Sequence, residues 1–176
     1  MVDAAWPQHG PQGCHAHDII CSILLLAMNT HILIIAHAPL ASALRECALH
    51  VFPDCAGDVL ALDVPPDEAP EQTQANAQAL LDSVAGPALL LTDVFGATPC
   101  NVAQRLADGQ RTRLLCGVNL PMLLRAVCYR SEELESLLSR AQVGGTQGIM
   151  SIAAAAPQNQ VRMLRNSHDQ EDNHHQ

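Results

Sequence analysis

Three polar residues close three otherwise apolar runs in this chain, and their types suit one kind of chemistry. His37 follows I-L-I-I-A (residues 32–36), Asp93 follows A-L-L-L-T (88–92), and Asn119 closes the run that begins at Thr112. The first two runs are apolar enough for strands covered on both faces. A histidine whose one ring nitrogen donates to a carboxylate has its tautomer set, which leaves the other nitrogen free as a nucleophile. The turn after Asp93 reads V-F-G-A-T-P. Its Gly96 permits unusual backbone angles, and the helix it opens offers unpaired amides as a seat for an anion. His37, Asp93 and Thr98 are therefore candidate catalytic residues, with Ala38, Gly96, Ala97 and Asn119 on the anion-binding rim of the site. Taken singly, each has a plainer explanation as a group that finishes a strand or caps a turn. Together at one edge they are harder to dismiss.

That edge must be built by the intervening elements. Pro39 suits the first turn of a helix, and Leu40, Ala43, Leu44, Cys47, Ala48 and Val51 then recur at helical spacing. Residues 57–63 read as a second strand closed by Pro65-Pro66, and 68–84 as a helix that turns Ala77, Leu80, Leu81 and Val84 inward. Residues 88–93 and 112–118 are strands. Helices are expected over 98–107, capped by Thr98, and over 120–129, capped by Asn119. A last helix starts from a Ser131 cap, buries Leu134, Leu137, Leu138 and Ala141, and stops at Gly144-Gly145. Residues 148–153 are a candidate final strand. Such alternation specifies an α/β fold: a doubly wound, mainly parallel sheet of four strands plus a C-terminal fifth, with helices on both faces. Ligands bind such sheets at the carboxyl edge.

Composition narrows the function. The net charge is −9 and no lysine is present. That excludes a basic nucleic-acid face, a phosphate-loop lysine and a Schiff base. One Trp, one Tyr and two Phe leave the core to aliphatic side chains. The seven cysteines form no C-x-x-C pair, so neither a metal nor another cofactor is expected. Cys47, Cys116 and Cys128 fall in apolar segments, where a thiol packs as a small hydrophobe. The odd count and the lack of an export signal fit the cytoplasm. Residues 1–27 show neither a targeting pattern nor a span of membrane length and are expected to be dispensable, with Met28 as the initiator. The domain is placed at 28–156 and a disordered polar tail at 157–176.

Three motifs, I-A-H-A-P-L-A-S-A-L, L-T-D-V-F-G-A-T-P-C-N-V-A and C-G-V-N-L-P-M-L, stand in this order between residues 29 and 153. They resemble the enzyme IIA component of the mannose/fructose class of the bacterial sugar phosphotransferase system. The resemblance implies a cytoplasmic phosphocarrier and transferase. His37 would take a phosphoryl group from the phosphohistidine of HPr and pass it to a IIB component or a regulatory acceptor, with Asp93 bonded to the histidine and Thr98 beside the phosphate. Contact with a membrane would be indirect, through a transporter. It also implies a homodimer that exchanges a C-terminal strand. Two departures stand out: Ala38 replaces a glycine common in relatives, and the polar stretch after Ala156 is not expected to fold as a IIB domain. Amides after Pro39 and around residues 96–98 would hold the phosphoryl oxygens without nucleotide or metal. The alternatives are a regulatory protein that binds a target according to the phosphorylation of His37, and a hydrolase using Cys100 or Thr98.

Overall fold

β1 (His31–His37) is the centre of the sheet, and Ile32, Leu33, Ile34, Ile35 and Ala36 on it have no exposed surface. In the computed structural model, which describes residues 29–152, this strand pairs on one side with β2 (Val59–Val64) and on the other with β3 (Ala88–Thr92). β4 (Thr112–Cys116) adds to β3, giving four parallel strands in the order β2-β1-β3-β4. Chain order reverses direction between β1 and β3, and this switch opens a crevice at their carboxyl ends.

Alternate side chains of the central strands feed two cores. Ile32, Ile34, Leu89 and Leu91 pack under α1 (Leu40–Val51), α4 (Leu120–Cys128) and α5 (Leu134–Gln147). Leu33, Ile35 and Leu90 pack on the other face under α2 (Pro70–Asp82) and α3 (Thr98–Leu106). The fold is therefore the doubly wound α/β sheet expected from the alternation of apolar runs. A 3-10 turn (Pro53–Cys55) links α1 to β2.

Several local expectations need correction. α1 is rotated from the expected face: Ala41 and Ala48 are buried, while Leu40, Cys47 and Val51 are exposed. The small alanines let the helix sit close to the sheet, and the larger residues move to its margin. Gly144-Gly145 does not stop α5 but lies within it, buried. A Cβ at Gly144 would stand 2.7 Å from Cβ of Arg125, and one at Gly145 would stand 2.7 Å from Cε of Met122. These glycines are spacers that bring α4 and α5 together. Glu133, not Ser131, precedes α5, and no side chain caps that helix. The described cysteines also sort differently: Cys55 and Cys100 are buried, Cys47 and Cys128 are exposed, and Cys116 is half-buried.

Residues 148–152 leave α5 as a turn and then irregular chain, with no strand among them, and Ile149 and Ile152 are each 78% exposed. A strand must share its hydrogen bonds with a neighbour, and this segment meets no sheet edge among the described residues. The remainder of the expected fifth strand, Ala153, lies outside the described residues. So do the expectations for 1–27 and 157–176.

Candidate functional site

His37 and Asp93 are brought together because β1 and β3 are parallel neighbours whose carboxyl ends lie close to each other. In their register His31 stands opposite Ala88 and Ile35 opposite Thr92, so Asp93 is the first residue past the shared ladder on β3 and His37 the second past it on β1. Asp93 Oδ2 lies 2.6 Å from His37 Nδ1 and accepts the His37 amide at 3.0 Å. Its Oδ1 accepts the Val94 amide at 2.8 Å. Partial burial pushes the Asp93 carboxyl up. The hydrogen bonds from the His37 amide and ring and from the Val94 amide outweigh it, with help from the His37 charge, and hold the group below its ordinary value. The carboxylate is thus ionised at neutral pH. With Nδ1 turned to Asp93, the half-exposed ring of His37 has Nε2 left for chemistry.

The turn after His37 is tied down from β2. Ala38 donates its amide to Val64 O at 3.0 Å. Asp63 Oδ1 accepts the amides of Ala41 and Ser42 at 2.9 and 3.1 Å. This corrects the expectation that the amides after Pro39 are open to a phosphoryl group, since two of them are already taken. Asp63 reads in the sequence as an ordinary strand residue, although it shows the same signal as His37 and Asp93: a polar side chain at the carboxyl end of an apolar run.

Across the crevice the β3–α3 loop turns at Gly96, whose φ of +85° is in the left-handed region that favours glycine. Asn101, not considered beforehand, braces the loop by donating Nδ2 to Gly96 O at 3.2 Å. Ala97, not Thr98, is the residue preceding α3, and no side chain caps the helix. Thr98 is its first residue, with Pro99 next. The Thr98 hydroxyl is half-buried and, like the amides of Gly96, Ala97 and Thr98, makes no hydrogen bond to the described residues. Val94 and Phe95 on the same loop are exposed, Phe95 by 75%.

Asn119 is different. Its Oδ1 accepts the Met122 amide at 3.0 Å and its Nδ2 donates to Gly145 O at 3.2 Å. Both ends of the side chain thus hold α4 and α5, which gives it a bracing role in the fold. Cys100 is buried with only 1% exposed, out of reach of an external substrate. Of the other described histidines, His31 stands at the opposite edge with Nε2 against Ala85 O at 2.9 Å, and His50 is in the last turn of α1. Among the described residues no group of His, Cys, Asp and Glu side chains is arranged to hold a metal ion. No helix among them is long and apolar enough to cross a membrane.

A parallel α/β domain with a histidine–carboxylate pair at its topological switch point belongs to the open, doubly wound class whose ligands bind at the carboxyl edge. Within that class the chain is specific: residues 31–142 match the model of the PTS system fructose IIA component, and the protein belongs to this family. It is similar to the PTS system mannose-specific EIIAB component of Escherichia coli strain K12, with 34% identity over 83 residues, 45% of this chain and 25% of that protein. The protein of the same name from Shigella flexneri matches to the same extent. The matched stretch thus spans about a quarter of the length of these curated relatives. Among solved structures, the mannose/sorbose specific IIA subunit of the phosphotransferase system from Enterococcus faecalis superposes with a TM-score of 0.66 at 25% identity, covering 73% of this chain and 98% of that one. The phosphotransferase system component EIIA from Streptococcus agalactiae shares the fold at a TM-score of 0.61 and 22% identity, covering 69% and 96%.

Proposed function

We propose that this protein is a cytoplasmic phosphocarrier of a sugar phosphotransferase system in which His37 accepts a phosphoryl group from the phosphohistidine of HPr. The observation that carries this reading is the 2.6 Å contact between His37 Nδ1 and Asp93 Oδ2 in a chain of the IIA family. Nε2 of the neutral ring attacks phosphorus in line, the donor's N–P bond breaks as the Nε2–P bond forms, and the proton stays on Nδ1. The ring gains positive character as that bond develops, and Asp93 stabilises it without taking the proton. Amides of Gly96, Ala97 and Thr98 and the Thr98 hydroxyl would receive the phosphoryl oxygens. No nucleotide or metal is needed, because the transferred group arrives already activated. The acceptor is a IIB component, in keeping with the EIIAB name of the curated relatives.

Incubation with phosphoenolpyruvate, enzyme I and HPr tests the reading directly. Wild type should acquire acid-labile phosphate, and His37→Ala should acquire none while keeping its melting temperature within a few degrees. Label retained by His37→Ala would move the site elsewhere and defeat the proposal.

A further inference from the structure

The first turn of α1 carries the residues that follow His37, yet it has no cap of its own. Pro39 precedes the helix, no side chain there accepts an amide, and its first turn holds no acidic residue. The missing acceptor comes from a different strand, 21 to 22 residues away in sequence, as the Oδ1 atom of Asp63 bridging the amides of Ala41 and Ser42. The bridge sits one step from the histidine in the β1–β2 register, where Ala36 pairs with Asp63 and His37 with Val64. The next hydrogen bond, Ala38 N to Val64 O at 3.0 Å, continues the ladder past the strand. His37 is therefore held between two carboxylates from opposite sides. Asp93 on β3 fixes its ring and its amide, and Asp63 on β2 fixes the chain that leaves it.

We infer that Asp63 is a positioning residue for phosphoryl transfer at His37, an inference that rests on the phosphocarrier reading. It acts in two ways. It anchors the start of α1 to β2, which sets the backbone from His37 to Leu40 and hence the line along which Nε2 meets phosphorus. It also occupies two amides that would otherwise compete for the phosphoryl oxygens, so the group is directed to the β3–α3 loop across the crevice. Asp63 touches neither donor nor phosphate. Its effect is on the geometry of the step, not on binding of the partner.

The experiment compares Asp63→Ala, Asp63→Asn and Asp63→Glu in the full chain by transfer kinetics from phospho-HPr and by ¹⁵N NMR of the His37 ring. Asp63→Ala should lower kcat by about 10- to 100-fold with KM for phospho-HPr within about twofold, the loss typical of a misplaced reacting group. Its ring signals should shift from the wild-type positions as the Nδ1–Asp93 contact is displaced. Asp63→Asn keeps an acceptor oxygen and should recover most of the rate. Should Asp63→Ala not fold, Asp63→Glu moves the carboxylate by one methylene and should still lower kcat and shift the ring signals. Wild-type kcat and ring signals in a folded Ala or Glu variant, with only the melting temperature reduced, would overturn the inference. The ring spectra are read without phosphate, so they report on Asp63 even if wild type accepts none, a result that would count against the phosphocarrier reading instead.

Discussion

A single oxygen of Asp93, Oδ2, meets both the backbone amide and the ring Nδ1 of His37, at 3.0 and 2.6 Å. One carboxylate thereby fixes where the histidine starts and which way its ring faces. Asp93→Asn keeps the shape, but the amide can present an NH₂ where an acceptor is needed and so favours the wrong tautomer. Transfer from phospho-HPr should fall about 100-fold or more, with a melting temperature shifted by only a few degrees. A near wild-type stopped-flow rate would leave His37 without a catalytic partner.

Thr98→Ala should cost less than Asp93→Asn. The amides of Gly96, Ala97 and Thr98 remain in place when the hydroxyl is lost, so most of the donor set survives. A fall of about tenfold or less is expected in the same stopped-flow comparison.

The turn into β4 gives a pH dependence with a definite sign. Asp108 Oδ1 accepts the amides of Thr112, Gln110 and Arg111, and these bonds, that from Thr112 foremost, lower its pKa from 3.8 to about 2. Because the folded value lies below the unfolded one, the stabilisation is complete above 3.8 and is lost as pH falls towards 2. Urea midpoints measured across that window should fall more steeply for wild type than for Asp108→Ala. Parallel curves would show that the carboxylate does not hold the turn.

Gly144→Ala tests the close approach of α4 and α5. The added Cβ would meet Cβ of Arg125 at 2.7 Å and the Pro121 carbonyl oxygen at 3.3 Å, so the helices must separate. Overpacking of this kind costs about 1–3 kcal/mol. Gly57→Ala is the control, since a Cβ there meets nothing within 4 Å and the backbone is not in the left-handed region. Equal unfolding midpoints for the two variants would contradict the spacer role.

A homodimer is expected at micromolar concentration. β4 is an edge strand, and Ile149, Met150 and Ile152 are 67–78% exposed just beyond α5. An edge strand and exposed apolar side chains each invite a second copy. Sedimentation showing only a species of the single-chain mass would count against it.

The sequence by itself determined the α/β class, the four strands and the three polar residues that end apolar runs, because each is a local pattern of period, length or punctuation. His37 and Asp93 could be paired on paper only by assuming that their strands are neighbours, and the observed order β2-β1-β3-β4 is what makes them so. Tertiary structure alone decided the rest. Asp63 reads locally as one more strand residue, and its hold on Ala41 and Ser42 exists only because β2 lies beside β1. Gly144-Gly145 reads as a helix stop, since glycine is a poor helix former, yet contact with Arg125 and Met122 makes it the only residue small enough for the place. Asn119 looks equally like a ligand group or a cap from its position, and only the Gly145 carbonyl from a distant helix shows both its polar ends in use. Local pattern reports what a segment can become, whereas the partner that satisfies or crowds it comes from elsewhere in the chain.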